Sequence, residues 1–154
     1  MSAGMAAARP RREPSIAADV RRTRAWLLLV GALGIHVVDE ALTGFLAFYH
    51  PLVLSIRSRL AWFPMPTFSF SAWLGGLIAF IVVLVSLTPI VRRGGIVIRV
   101  LSTVFAALMF LNGLGHLGGS VYFWRWLPGA TSAPLLLATS VLFIRATLTP
   151  RQRA

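Results

Sequence analysis

Residues 26–48 read WLLLVGALGIHVVDEALTGFLAF, an apolar run long enough to cross a bilayer. Near its middle it carries His36, Asp39 and Glu40. A carboxylate at the centre of such a helix costs about 2.5–3.5 kcal/mol on insertion scales, so two side by side persist only where partners or protons compensate them. The whole chain has 4 acidic residues, and half of them stand here. This one feature demands a membrane fold with an interior polar site, and it sets the search for partners.

Three further apolar runs follow, at about 68–91, 96–123 and 130–148, each near the roughly 20 residues that cross about 30 Å of hydrocarbon. Lipid leaves the backbone no water to bond, so such spans are helices. The expected fold is therefore all-α, a four-helix transmembrane bundle with spans at about 26–48, 68–91, 96–123 and 130–148 in a domain covering 25–148. The connection 49–67 mixes Arg57 and Arg59 with Leu, Ile and Trp62 before Pro64 and Pro66, which suits an amphipathic segment lying in the interface. Residues 1–24 are rich in Ala, Arg and Pro and read as a disordered basic arm, and 149–154 as a short basic tail.

With 57% hydrophobic and 12% charged residues, the 154-residue chain does not have the composition of an ordinary soluble domain. It has no cysteine, which excludes disulfides and thiolate metal sites. Its net charge of +11 comes from arginines that flank apolar runs, which favours a membrane surface as partner and not nucleic acid. The basic arm followed by an apolar run resembles a secretion signal, and Arg21-Arg22 a twin-arginine one. The run is too long and too acidic, and lacks a small-residue cleavage site, so it is expected to stay as a span. With four spans, twelve arginines fall on the side of the termini and only Arg57, Arg59 and Arg125 on the other. The positive-inside rule then puts both termini in the cytoplasm and the protein in the plasma (inner) membrane.

His36, Asp39, Glu40 and Thr43 recur at i, i+3, i+4 and i+7, one stripe of a helix. In the third run Asn112 and His116 are four apart and share a face, at depths matching His36 and Glu40. The two pairs can face each other across the bundle. Gly115 and Gly119 form a small-xxx-small pair that lets helices approach. His50, at the outer end of the first run beside Pro51, reads as an interfacial residue outside the site. Trp62, Trp73, Tyr122, Trp124 and Trp126 fall near the outer boundary, as an aromatic belt does.

These residues carry a resemblance. His36-Val-Val-Asp39-Glu40, then Asn112-x-x-x-His116-x-x-x-Ser120, then Pro128-Gly129-Ala-Thr131 resembles the HXXEE family of small bacterial membrane proteins, over residues 26–148. Asp39 stands where that family has Glu. The resemblance implies a multi-span helical membrane protein; the family brings no established activity and hence no substrate.

Glu40, Asp39, His36, His116 and Asn112 are the candidate catalytic residues. His36, Asp39, Glu40 and His116 are candidate ligands for a divalent metal, Zn, Fe or Mn, with Asn112 behind them or as a weak ligand. The same groups can run acid–base chemistry without metal on an apolar, lipid-like small molecule. Two other readings stay open: a polar network that only fixes helix packing, and a proton or cation pathway. The apolar cytoplasmic halves of the spans suit a pocket better than a conduit.

Overall fold

The computed structural model describes residues 16–62 and 64–148. Among the described residues it contains six helices and no strand: α1 (Ile16–Leu42), α2 (Phe45–Arg59), α3 (Phe70–Ser86), α4 (Thr88–Arg93), α5 (Ile96–Tyr122) and α6 (Ala133–Leu148). α3 and α4 run on as one apolar length, Phe70–Arg93, broken only at Leu87 ahead of Pro89. Three lengths, Ile16–Leu42, Phe70–Arg93 and Ile96–Tyr122, are long and apolar enough to cross a membrane.

α1 is the central helix. Half of its most apolar stretch is buried, against 11% for Phe70–Arg93 and 17% for α5, so the other two long helices turn most of their apolar surface outward. Ile78, Phe80 and Val82 on α3 and Val104, Leu108 and Leu111 on α5 are exposed. So broad an apolar exterior is costly in water and natural in lipid. The core centres on Trp26 of α1, 2% exposed, whose ring meets Phe105 of α5 at 5.6 Å and Phe143 of α6 at 5.5 Å. Its indole N–H donates to the Leu84 carbonyl of α3 at 3.2 Å, which satisfies the one polar atom this side chain brings into the core. α6 packs against both α1 and α5.

Three boundaries differ from expectation. Residues 16–24, assigned to a disordered arm, are the first turns of α1, while residues 1–15 and the tail 149–154 lie outside the described residues. The reason is Arg22, which is only 4% exposed. Its Nε donates to the Val91 carbonyl at 3.0 Å, and its Nη2 to the Arg92 carbonyl and to Asp19 Oδ1, the latter at 2.9 Å. The guanidinium thus caps the C-terminus of α4, where helix carbonyls have no partner of their own. Gly94 follows with φ +68, and a Cβ there would stand 2.5 Å from Arg22 Nη2. Arg99 does the same for α6, donating to the Thr147 carbonyl at 2.6 Å.

The second difference is at the other end of α1. The run expected to continue to residue 48 stops at Leu42, because Gly44 takes a left-handed φ of +78 that redirects the chain into α2. Thr43 donates both its N–H and its hydroxyl to the Asp39 carbonyl. The expected interfacial connection is therefore largely α2, with Arg57 and Arg59 in its last turn and Pro51 inside it.

α6 is shorter than expected, starting at Ala133 and not near residue 130. Sixteen residues rise about 24 Å, less than the hydrocarbon thickness. Its N-terminus is accordingly set inside the bundle, and the preceding segment bears Leu127, Gly129 and Ala130 in buried positions. This inward connection builds one wall of the site.

Candidate functional site

The site lies where the last turns of α1 and α5 meet the start of α6. His36 and His116 each sit six residues before the end of their helix, about 9 Å along the axis, so they lie at equal distance from the same end of the bundle. Their rings meet edge to face with centroids 4.7 Å apart. Glu40, one turn after His36, places Oε1 at 3.1 Å from His116 Nε2 and 3.6 Å from His36 Nε2. All three residues are buried, with exposures of 0% for His36, 6% for Glu40 and 9% for His116. The three ligand atoms lie within 4.8 Å of one another.

The other ring nitrogens fix the tautomers. Nδ1 of His116 lies 2.5 Å from the Pro128 carbonyl, which can only accept, so that nitrogen carries a proton. Nδ1 of His36 lies 2.8 Å from Ser132 Oγ. Ser132 in turn donates its backbone N–H at 2.9 Å and its hydroxyl at 2.7 Å to Asp39 Oδ2. With that hydroxyl proton given to the carboxylate, Ser132 Oγ accepts from His36 Nδ1–H. Both neutral imidazoles then present the lone pair of Nε2, and both lone pairs face the same Glu40 oxygen. Three acceptors at such distances repel unless a positive charge lies between them, either a shared proton or a metal ion.

Asp39 stands apart from the converging atoms. Expected as a ligand, it is half-buried and turned to Ser132, the residue before α6, where it meets the N-terminus of a helix that starts inside the bundle. An anion there is favoured by the free N–H groups and the helix dipole. One side chain thus satisfies the buried helix start and, through the Ser132 hydroxyl, orients His36. Asn112 reaches the cluster, its Nδ2 3.4 Å from His36 Nε2.

Sequence reasoning missed Ser132, Pro128 and Gly129. Gly129 adopts φ +82, and a Cβ on it would fall 2.8 Å from His116 Nδ1 and 3.0 Å from His36 Cε1. Only a residue with no side chain lets the backbone lie against both rings. Ser132-Ala133-Pro134 had the form of a helix start, a capping serine with proline in the first turn, and that was the readable signal. Ser120, the last residue of the second motif, donates to the His116 carbonyl at 2.7 Å and accepts from Leu127 N–H at 3.0 Å, which ties the inward connection to α5.

Of the expected glycine pair, Gly119 does allow close approach: a Cβ there would meet Leu127 Cδ1 at 2.7 Å. Gly115 faces open space, and Gly113 takes its place as the contact to α6, against Leu137 and the Ala133 carbonyl. His50 lies outside the cluster and accepts from Phe68 N–H at 3.4 Å. Beyond the Gly44 break, Phe45 lies 6.0 Å from the His116 ring and stacks on Tyr49 and Trp73. Trp62, Tyr122, Trp124 and Trp126 are exposed.

Comparisons with protein-family models, with curated proteins and with solved structures found no match for this chain.

Proposed function

We propose that this is a multi-pass protein of the plasma membrane in which His36, Glu40 and His116 hold one divalent metal ion, and that it is an enzyme acting on an apolar, lipid-like substrate. The observation that carries the reading is the convergence of two Nε2 lone pairs and a carboxylate oxygen in a dry site, with both Nδ1–H groups already engaged. Histidines that bind metal characteristically donate the other ring N–H to a carbonyl or a carboxylate-linked group, which fixes ring orientation. Pro128 and the Ser132–Asp39 pair supply those acceptors here.

Two imidazoles and one carboxylate suit Zn, and also the three-ligand sites of Fe or Mn enzymes. Three protein ligands leave a coordination position for water or substrate, and such an ion supplies Lewis acidity or an activated oxygen nucleophile. The chain's own residues do the rest: Asp39 and Ser132 hold His36, Pro128 holds His116, and Asn112 offers an amide beside the ion. The Phe45–Tyr49–Trp73 aromatic cluster beside His116 gives an apolar substrate a surface to lie on. Four crossings with cytoplasmic termini, and membership of the HXXEE family, accord with the arginine distribution and the motif order.

A second reading rests on the same 3.1 Å contact. A proton shared between Glu40 and His116 also resolves the clash of acceptors, and it makes the pair an acid–base couple without metal. Metal stoichiometry separates the two. Purified protein exposed to Zn, Fe or Mn should retain one equivalent of one of them, and His36→Ala and His116→Ala should lose it while keeping their helical content. A folded wild type that retains none of the three metals removes the metal reading.

A further inference from the structure

At the end of the bundle opposite the His/Glu cluster, the first turns of α1 and the length formed by α3 and α4 enclose a groove of about 650 Å³. Asp19, Thr23 and Leu27 line it from α1, at i, i+4 and i+8 on one face, and Arg92, Arg93, Thr88 and Val85 line it from the other side. Leu27 lies eight residues deeper than Asp19, and Val85 seven residues deeper than Arg92, about 10–12 Å of axial rise in each case. Both walls therefore step from charge to hydroxyl to aliphatic side chain. Leu27 and Val85 are exposed, which leaves the aliphatic floor open.

Arginines in the last turn of a helix ordinarily serve its free carbonyls. In α4 that work is done by other groups: the buried Arg22 donates to the Val91 and Arg92 carbonyls, and Gly94 N–H donates to the Ile90 carbonyl. The same Arg22 holds Asp19 Oδ1 at 2.9 Å, which offsets the carboxylate of the groove wall. Arg92 and Arg93 are exposed, and among the described residues neither forms an ion pair. Two guanidiniums are thus left uncompensated above an aliphatic floor. We infer that this groove binds one anionic phospholipid, its phosphate held by Arg92 and Arg93, its ester region level with Thr23 and Thr88, and an acyl chain laid along Leu27 and Val85. Guanidinium forks match phosphate oxygens bidentately, and basic pockets between transmembrane helices take acidic head groups. Free phosphate would leave the floor unused. A zwitterionic lipid would bring its own cation against the arginines.

The test uses the full-length protein, delipidated in neutral detergent and titrated separately with short-chain phosphatidylglycerol, short-chain phosphatidylcholine and inorganic phosphate, with binding read by native mass spectrometry. Phosphatidylglycerol should bind with one-to-one stoichiometry, and the other two should not. The Arg92→Gln/Arg93→Gln double variant should weaken that binding about 30-fold, the factor expected for two arginine contacts to an acidic lipid. Should the double variant fail to fold, Arg93→Gln alone should still cost about 5-fold. Arg57→Gln/Arg59→Gln, on α2, should leave binding unchanged. No binding of phosphatidylglycerol, equal binding of phosphatidylcholine, binding of phosphate alone, or an unaltered affinity in a folded Arg92/Arg93 or Arg93 variant each overturns the inference.

Discussion

Glu40 Oε1 and His116 Nε2 lie 3.1 Å apart on different helices, α1 and α5, each of which packs against α6. The contact is made possible from the side of the connection before α6, where the backbone of Gly129 lies flat against both imidazoles. A site built this way depends on a few side chains whose positions are each set by a specific neighbour, and each dependence can be measured.

Gly129→Ala is the sharpest of these. The substitution places a methyl group within 3.0 Å of both histidines and forces an L-residue into the left-handed region, which alone costs about 1–2 kcal/mol. The variant should melt several degrees lower than wild type in the same detergent, and its metal affinity should fall, because the rings cannot retreat without losing their Nδ1 partners. Thermal unfolding followed by circular dichroism, with parallel metal analysis, checks both.

Ser132→Ala removes the atom that accepts from His36 and donates to Asp39. Loss of such a supporting partner typically lowers metal affinity about 10- to 100-fold while leaving the ligands in place. Competition against a chelator of known affinity should show a drop in that range. Asp39→Asn, which keeps the shape and weakens the charge at the start of α6, should cost about 0.5–2 kcal/mol of stability, the range for a helix cap.

Much of this was written in the sequence, and its limits are instructive. His36, Glu40, Asn112 and His116 announced themselves because ionisable groups in an apolar run are expensive and because spacing of four residues puts a pair on one face. Depth matching set His36 beside Asn112 and Glu40 beside His116, and in the structure Asn112 Nδ2 lies 3.4 Å from His36 Nε2 and Glu40 Oε1 3.1 Å from His116 Nε2. The start of α1 was misjudged since Arg22 looks like a solvated charge, and only its bonds to Val91 and Arg92, nearly seventy residues away, reveal a buried one. Asp39 looked like a ligand because it adjoins Glu40, yet neighbouring helical residues point about 100° apart and its partner is Ser132, just before α6. Pro128 and Gly129 were legible as chain breakers but not as the wall of a site, because a wall made of backbone has no side-chain signature.

Arg22 offers a test of the fold separate from the site. Arg22→Gln should destabilise the protein by about 1.5–3 kcal/mol through the loss of charged hydrogen bonds to the end of α4. Arg22→Lys should rescue little of it, since a point charge cannot bond Val91, Arg92 and Asp19 from one planar fork. Chemical unfolding of both variants in mixed micelles gives the comparison.

Glu40→Gln distinguishes a binding site from a packing network. The amide can still donate to His116 Nε2, so the metal-free variant should be as stable as the metal-free wild type or slightly more so, a buried charge having been removed. Added zinc at about 100 times its dissociation constant should stabilise the wild type by about 2.7 kcal/mol and leave the variant unchanged. A purely structural cluster predicts the reverse, a less stable variant and a wild type indifferent to zinc.

X-ray absorption at the zinc edge of the loaded wild-type protein bears on the shared cation itself. Two imidazole nitrogens at about 2.0–2.1 Å and carboxylate or water oxygens at about 2.0–2.2 Å are expected, with imidazole scattering diminished in His116→Ala. A shell of oxygens alone, or zinc that washes off the folded protein, would mean that His36, Glu40 and His116 do not hold zinc between them.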